Sequence, residues 1–303
     1  MKDHIPSTTA LATARIRSIH TSRDPKPIFS DPWGSKLAPA SALAFYMSGG
    51  ESASTDETMS EESIDSLLRA SPAYANVIAR ACFTETALES AISAGVTQYI
   101  QIGAGFDSFA QRRPKDALEL EIFEIDHPAT QAFKKQRLAE CGVPHDNRLH
   151  FVSADLGQET IESALSASSY QPSEPAFLSW LGVTMYLTRE ANIATLKSVA
   201  RYCAPGSVLV FTYMDQAMFD DISSADAQAF AELQQRVRAA GEPFVSGFHP
   251  ATLEQDLRKI GLELEEDLND TQILDRFDPS GANGLLSTAT SHIARVRVVG
   301  SAG

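Results

Sequence analysis

Two glycines that directly follow an apolar run are the residues of this sequence best suited to contact a ligand. The run 96–102 (VTQYIQI) leads straight into Gly103, Ala104 and Gly105. Glycine lets the backbone turn tightly and approach a ligand without a Cβ in the way. A strand followed by such a turn is typical of nucleotide-binding α/β sheets, which bind ligands at the carboxyl ends of their strands.

Acidic residues end the next two apolar runs. Asp126 ends LEIFEID, 23 residues after Gly103, where a carboxylate accepts hydrogen bonds from the two hydroxyls of a ribose. Asp155 ends LHFVSAD and is followed by Leu156, a pair suited to an adenine amino group and to its ring. The alternative for Asp155 is an ordinary acid that caps a helix start. Together these residues predict a cofactor that contains a nucleoside.

The residues after the glycines distinguish between two cofactor classes. A dinucleotide fingerprint has a third small residue so that a helix N-terminus can meet the pyrophosphate, and Ser108 occupies that position. Asp107 precedes it, and a carboxylate there would repel a pyrophosphate. The same carboxylate favours a cationic cofactor. We therefore expect S-adenosylmethionine, which carries an ammonium and a sulfonium, rather than a nicotinamide dinucleotide.

Composition narrows the class of protein further. The 303 residues include 25 Lys and Arg against 39 Asp and Glu, a net charge of −14, which argues against nucleic acid as a partner. No apolar run is long enough to span a bilayer, and no secretory signal is evident. Cys82, Cys141 and Cys203 lie too far apart for a disulfide framework, and the seven histidines lack zinc-ligand spacing. We expect a cytoplasmic protein without a metal site; its oligomeric state is not predicted.

The elements that must position these residues follow from the apolar pattern. Short runs rich in β-branched and aromatic residues predict strands at 96–102, 120–125, 149–154, 176–183 and 207–214. Helical stretches separate them at 128–141 and, capped by Thr188, at 189–203, which predicts a parallel sheet with helices on both faces. Two last strands, 262–268 and 292–299, show no helical pattern between them and are expected to pair antiparallel at the sheet edge.

Before residue 96 the pattern is mostly helical, with predicted helices at 8–20 and 66–94. Between them the stretch 48–66 (SGGESASTDETMSEESIDS) is acidic and poor in apolar residues. Such a composition predicts a solvated loop, because it has too little apolar surface to pack and its like charges repel. A mobile flap over a pocket is the alternative.

Several longer motifs resemble one known family. They are TTALATARIR, IFSDPWGSKLA, QYIQIGAGFDS, FEIDHP with Lys134, SADL, SWLGVTMYLT, GEPFVSGFHPATL and SHIARVRVV. Over nearly the whole chain they resemble the leucine carboxyl methyltransferase-like family of class I S-adenosylmethionine-dependent methyltransferases. The resemblance implies an α/β, Rossmann-like fold with a seven-stranded, mostly parallel sheet and an antiparallel edge hairpin. It also implies an N-terminal helical lid over 1–94 and a methyltransferase core over 95–303, with an acceptor-side insertion around 215–250.

The resemblance also implies roles for individual residues. Arg80 is expected to pair with the carboxylate of the donor's methionine part, and Lys36 is a further candidate for that contact. Some family members have a glutamate where this sequence has Leu181. The donor amine is then expected to contact the backbone carbonyl of Gly103 or Asp107 instead. The full set of expected donor contacts is Arg80, Gly103, Ala104, Gly105, Asp107, Asp126, Asp155 and Leu156.

Family members methylate carboxylates or hydroxyls, including acids of natural-product pathways. The implied function is therefore O-methylation of a small organic molecule. A carboxylate acceptor is favoured because it needs no general base, and His127 is interpreted as a turn residue. Alternatives left open are a nicotinamide-dependent oxidoreductase and a non-catalytic donor-binding homologue. The acceptor candidates, each equally interpretable as a core or loop residue, are Trp33, Tyr74, Tyr186, Phe248 and His249.

Overall fold

A mixed β-sheet organises the computed structural model, which describes residues 5–47, 59–220, 230, 231, 234, 238, 243–287 and 290–299. Its strands are β1 (Gln98–Ile102), β2 (Glu121–Asp126), β3 (Leu149–Ser153), β4 (Phe177–Trp180), β5 (Val208–Met214), β6 (Leu262–Asn269) and β7 (Ser291–Val298). They are arranged in the order β3-β2-β1-β4-β5-β7-β6. The seven-stranded, mostly parallel α/β sheet predicted from the sequence is confirmed.

Helices cover the sheet and precede it in the chain. Those before β1 are α1 (Thr8–Arg23), α2 (Gly34–Leu37), α3 (Ala40–Met47), α4 (Glu61–Arg69) and α5 (Ala73–Ser93). Those after β1 are α6 (Phe109–Arg112), α7 (Pro128–Glu140), α8 (Ile161–Leu165), α9 (Arg189–Tyr202), α10 (Ala217–Asp220), α11 (Pro250–Arg258) and α12 (Asp270–Phe277). Short 3-10 helices lie at Lys115–Ala117 and Thr184–Tyr186. None of the helices in these ranges is both long and apolar enough to cross a bilayer.

The register of the parallel strands brings their carboxyl ends to one edge. Gln101 of β1 lies opposite Glu124 of β2 and opposite Ser179 of β4. The turn after β1 and Asp126 at the end of β2 therefore meet at that edge. Every residue of β1 is buried, since a parallel sheet is covered on both faces. Neighbouring residues of β1 enter different cores, Tyr99 on one face and Ile100 on the other.

The antiparallel pair is confirmed, but its connection differs from the expected one. β7 lies between β5 and β6 and is antiparallel to both. The expectation of no helix between the last two strands is wrong, because α12 begins directly after β6. Asn269 and Gln272 form a capping box that starts this helix, and Ile273 and Leu274 are buried. Two helical turns are too short for an apolar period to stand out in the sequence.

The helices before β1 share a hydrophobic cluster that is centred on α1. Leu11 and Ile19 of α1, Leu43 of α3 and Ile78 of α5 are buried together, in a cluster that also contains Phe106 from the turn after β1. The division into a lid over 1–94 and a core over 95–303 therefore stays a prediction.

The predicted helix 66–94 is two helices, because Pro72 occupies the N-cap of α5 and α4 ends at Arg69. The acidic stretch 48–66 is described only in part, with residues 48–58 outside the described ranges. Its last part is helical rather than a solvated loop. Ser60 caps α4, and Ile64 and Asp65 are buried.

Candidate functional site

A cavity of about 400 Å³ opens at the carboxyl ends of β1, β2 and β4. The N-terminal half of α1 and one face of α5 lie over it, and the turn after β1 and the loops after β3 and β4 form its other walls. The structure brings all the predicted donor contacts to this cavity, together with one acceptor candidate. These residues are Arg80, Gly103, Ala104, Gly105, Asp107, Asp126, Asp155, Leu156 and Tyr186.

The turn after β1 requires glycine at both predicted positions. Gly103 and Gly105 have φ angles of +70° and +54°, a region that L side chains rarely adopt. A Cβ on Gly103 would lie 2.5 Å from Cγ2 of Val183, and one on Gly105 would lie 3.1 Å from Cβ of Ala10. The turn therefore brings bare backbone to the cavity wall, where a ligand can approach it closely.

Asp126 holds the glycine turn against the end of β2. Its Oδ2 accepts a hydrogen bond from the backbone N–H of Gly105 at 2.5 Å, and its Oδ1 accepts one from the N–H of His127 at 2.6 Å. Burial raises the pKa of this carboxyl group. An ionised carboxylate has about four acceptor positions, so capacity remains for hydroxyl donors from the cavity. The Nδ1 atom of His127 accepts from the N–H of Ala129 and caps α7.

Asp155 lies at the opposite wall. Its Oδ1 accepts from the N–H of Gly157 at 2.9 Å, and its Oδ2 accepts from the side-chain amide of Gln158 at 2.9 Å. Those bonds lie within the turn 155–158. The next helix, α8, is capped by Thr160, so the helix-capping alternative for Asp155 is wrong. Leu156, which packs against the core of one sheet face, also lines the cavity. An adenine contact through Asp155 and Leu156 stays a prediction.

Asp107 is a carboxylate held among cations. Burial alone would raise the pKa of Asp107, but nearby Arg17, Arg112 and Lys134 bring it below the ordinary value. Its Oδ1 accepts a hydrogen bond from the N–H of Phe109 at 2.8 Å. An acid whose pKa lies below its ordinary value is ionised at neutral pH, which suits a cationic ligand and opposes a pyrophosphate.

A buried network beside Asp107 was not predicted from the sequence. Arg17 Nε donates to Asp31 Oδ2 at 2.8 Å, and Arg17 Nη2 donates to the carbonyl of Phe106 at 2.8 Å. Ser108 Oγ donates to Asp31 Oδ1 at 2.6 Å and accepts from Arg112 Nε at 2.9 Å. Asp31 thereby joins α1 to the glycine turn. Both Arg17 and Asp31 lie inside quoted motifs, but nothing in the spacing of those motifs shows that they meet.

Arg80 lies on α5 with its guanidinium directed at the end of β4. Its Nη1 donates to Oδ1 of Asn76 at 3.3 Å, and no described carboxylate lies within 4.0 Å of its nitrogens. Burial lowers its pKa to about 10. A Cβ on Gly182 would lie 2.8 Å from Nη1 and 2.9 Å from Nη2 of Arg80. A partly buried guanidinium with no acid partner among the described residues suits a carboxylate of a ligand, which it can bind with two parallel hydrogen bonds.

The structure does not bring the other acceptor candidates to this cavity. The Tyr74 hydroxyl donates to Asp24 Oδ2 at 3.0 Å, and Phe248 is 1% exposed and packs on Phe211 and Tyr213. Trp33 precedes α2, outside the cavity lining.

His249 lines a second, more open cavity of about 570 Å³, where its Nε2 lies 3.7 Å from Asp220 Oδ2. Two lysines of the family motifs each contact another side chain. The exposed Lys36 Nζ lies over the ring of Trp33, and Lys134 Nζ is buried 2.5 Å from Glu124 Oε2. Leu181 lines the first cavity and packs against the core. Of the acceptor candidates, Tyr186 alone is placed where a ligand in the first cavity could reach it.

The chain is similar to a known family and to several named proteins. The model of the family described as leucine carboxyl methyltransferase matches residues 10–200. YktD of Bacillus subtilis (strain 168), named as an S-adenosyl-L-methionine-dependent methyltransferase, is 32% identical over 215 residues, 71% of this chain and 70% of that protein. A relative from Mycolicibacterium gilvum is also named as an S-adenosyl-L-methionine-dependent methyltransferase. It is 32% identical over 228 residues, 74% of this chain and 70% of that protein.

Solved structures are similar in fold at low identity. A DUF574 family protein from Streptomyces avermitilis has a TM-score of 0.56 at 16% identity, covering 94% of this chain and 96% of that chain. A second solved structure is that of a methyltransferase candidate from Thermobifida fusca. It has the same TM-score and identity, and the match covers 94% of each chain. These likenesses support the Rossmann-like sheet.

Proposed function

The chain belongs to the leucine carboxyl methyltransferase family, and we propose that it transfers a methyl group to an oxygen of a small organic acceptor, with a carboxylate favoured over a hydroxyl. Its relatives are named as S-adenosylmethionine-dependent methyltransferases, and the chain is an enzyme of that class. The roles of the site residues and the chemical class of the acceptor are the proposed part.

The residues of the cavity fit the donor at each of its groups. Arg80 has no acid partner among the described residues and would hold the donor carboxylate. Asp107 is ionised at neutral pH and would face the cationic part of the donor. Asp126 has acceptor positions left for the ribose. The bare backbone at Gly103 and Gly105 leaves room for a close approach. When bound, S-adenosylmethionine supplies a methyl group on a positively charged sulfur, which an acceptor oxygen displaces in line.

One observation carries the preference for a carboxylate acceptor. Among the described residues that line the cavity, the histidine is His127, and its Nδ1 already accepts the N–H that caps α7. The acid Glu85 is paired with Arg112 through both of its carboxylate oxygens. A hydroxyl acceptor needs a base to take its proton, whereas a carboxylic acid with a pKa near 4 is already ionised at neutral pH.

The chain's own contribution to the reaction is binding, orientation and exclusion of water. Arg17 and Arg80 are the arginines that line the cavity in the described part of the chain. Arg17 is paired with Asp31, which leaves the guanidinium of Arg80 for an anionic group. The half-buried phenol of Tyr186 lies in the loop after β4, on the same wall as Leu187 and Val245, which makes this wall the natural place for the acceptor. Alignment of the reacting atoms lowers the barrier of such a displacement.

The test has a binding arm and a chemical arm. S-adenosylhomocysteine should raise the melting temperature of the purified chain and NAD should not, because a ligand specific for the folded state stabilises it, by about 2.7 kcal/mol at 100 times its Kd. A shift with NAD alone would support the oxidoreductase alternative instead.

In the chemical arm, donor labelled in its methyl group is offered with matched aryl carboxylic acids and phenols. A methyl ester releases labelled methanol in mild alkali, whereas a methyl ether keeps its label. Label that survives mild alkali would show that the acceptor group is a hydroxyl and not a carboxylate. Donor binding without transfer to any acid, phenol or metabolite extract would support the non-catalytic alternative.

A further inference from the structure

Asn76 is the hydrogen-bonding partner of the Arg80 guanidinium on α5. The two residues are one helical turn apart, and Asn76 Oδ1 accepts from Arg80 Nη1 at 3.3 Å. An asparagine amide can present either its oxygen or its NH₂ group to a neighbour, and only the oxygen can accept from a guanidinium. What fixes the orientation of this amide therefore also decides how Arg80 is held.

Two residues far along the chain fix that orientation. Asn76 Nδ2 donates to Asp270 Oδ1 at 2.7 Å and to Ser291 Oγ at 3.0 Å. Ser291 Oγ in turn donates to Asp270 Oδ2 at 2.7 Å. An ionised carboxylate only accepts hydrogen bonds, and the hydroxyl proton of Ser291 is already directed at it. The NH₂ group of Asn76 must then face Asp270, and its oxygen must face Arg80.

The position of Asp270 shows why an amide stands between the acid and the arginine. Asp270 is 2% exposed at the start of α12, where burial raises the pKa of its carboxyl group. A direct ion pair with Asp270 would occupy Arg80 and compete with any carboxylate from the cavity. The neutral amide of Asn76 passes on the orientation without supplying an acid, so the guanidinium is held and remains available.

We propose that Asn76, oriented by Asp270 and Ser291, is a positioning residue that holds Arg80 ready for the carboxylate of the methyl donor. The inference rests on the proposed function in one respect, namely that Arg80 binds that carboxylate. Asp270 and Ser291 lie outside the residues matched by the family model, which end at 200. Asp270 and Ser291 thereby take part in donor binding without lining the cavity themselves.

The competing explanation is structural, since the same bonds also tie α5 to α12 and β7. The experiment separates the two by changing the ligand. Asn76→Ala is titrated calorimetrically with S-adenosylhomocysteine and with decarboxylated S-adenosylhomocysteine, which lacks only the carboxylate. We expect binding of the first ligand to weaken about three- to tenfold, as for loss of one intramolecular hydrogen bond, and binding of the second to stay the same.

Asn283→Ala is the matched control. Asn283 is 8% exposed, and its amide also joins the C-terminal region to an early segment, by donating to the carbonyl of Lys26 at 2.8 Å. It does not line the cavity. The control should change the binding of neither ligand. Equal losses for both ligands in Asn76→Ala, or no loss for either, would overturn the positioning role.

Asp270→Asn serves if Asn76→Ala does not fold. An asparagine at 270 keeps the shape but can donate as well as accept, so the amide of Asn76 is no longer forced to face Arg80 with its oxygen. The same selective loss for S-adenosylhomocysteine is expected, and its absence would refute the proposal. Arg80→Ala tests the proposed function separately: if it binds both ligands as the unaltered chain does, the role of Arg80 is wrong whatever Asn76 does.

Discussion

A methyl group added at Gly182, which is not itself a donor contact predicted from the sequence, should displace the guanidinium of Arg80. Gly182 has a φ angle of +67° in the turn after β4. In Gly182→Ala, the new Cβ would lie 2.8, 2.9 and 3.1 Å from Nη1, Nη2 and Cζ of Arg80. The first two distances are shorter than any real contact of a Cβ. Because the guanidinium is the far end of a flexible side chain, it will move rather than the backbone.

Two separate costs follow from this geometry. An alanine at positive φ costs about 1–2 kcal/mol of folding free energy. Displacing the guanidinium removes a charge-assisted hydrogen bond to the donor carboxylate, a loss of about 1.5–3 kcal/mol. At 1.4 kcal/mol for each factor of ten, S-adenosylhomocysteine should bind about ten- to a hundredfold more weakly.

Gly142→Ala separates the two costs. Gly142 has nearly the same φ, +68°, and a Cβ there would meet no atom within 4 Å. Both variants should lose similar stability in urea denaturation, and only Gly182→Ala should lose affinity in calorimetric titration. In an Arg80→Ala background, Gly182→Ala should cause no further loss of affinity. Equal affinities of the two glycine variants would show that Arg80 does not hold the donor.

Four further substitutions test other parts of the site and core. Asp126→Ala should weaken S-adenosylhomocysteine binding in calorimetry and also cost about 1–3 kcal/mol of unfolding free energy, because the N–H of the glycine turn loses its acceptor; unchanged affinity would contradict its ribose role. Lys134→Met should cost about 3–5 kcal/mol in urea denaturation by leaving Glu124 buried and unpaired. That deficit should shrink as the pH falls, because burial already raises the pKa of Glu124 to about 7 and its protonation removes the unpaired charge. Phe248→Ala should cost about 3–5 kcal/mol of stability, whereas His249→Ala should leave turnover unchanged, and loss of turnover would return His249 to the acceptor candidates.

Local patterns were sufficient for the sheet and for one wall of the site. Strand ends of a parallel sheet lie at one edge, so Gly105 and Asp126 were predictable neighbours from their places after successive apolar runs. Their hydrogen bond confirms that proximity. The ribose, adenine and carboxylate roles of the individual residues stay predictions.

Contacts between distant segments were beyond the reach of those patterns. The partners Ser108 and Asp31 are 77 residues apart, and Asn76 and Asp270 are 194 apart. Polar side chains of these types are usually exposed, and spacing along the chain carries no information about which of them meet in the core. Phe248 is the opposite case, because this acceptor candidate is a buried core residue. Its backbone pairs with Met214 and Gln216 at the end of β5, which turns the ring into the core and away from the cavity.

The sheet order also has a consequence for the chain during its synthesis. β7 fills the place between β5 and β6, so the outer edge of β5 has no partner until residue 298 has been made. At about 5–20 residues per second, the 84 residues after Met214 take roughly 4–17 s to translate. For that interval the nascent chain displays an apolar strand edge, a template for pairing with other chains. Ser291, at the start of β7, emerges near the end of the same interval. The glycine turn is thus synthesised early, and the residues that orient Arg80 are synthesised last.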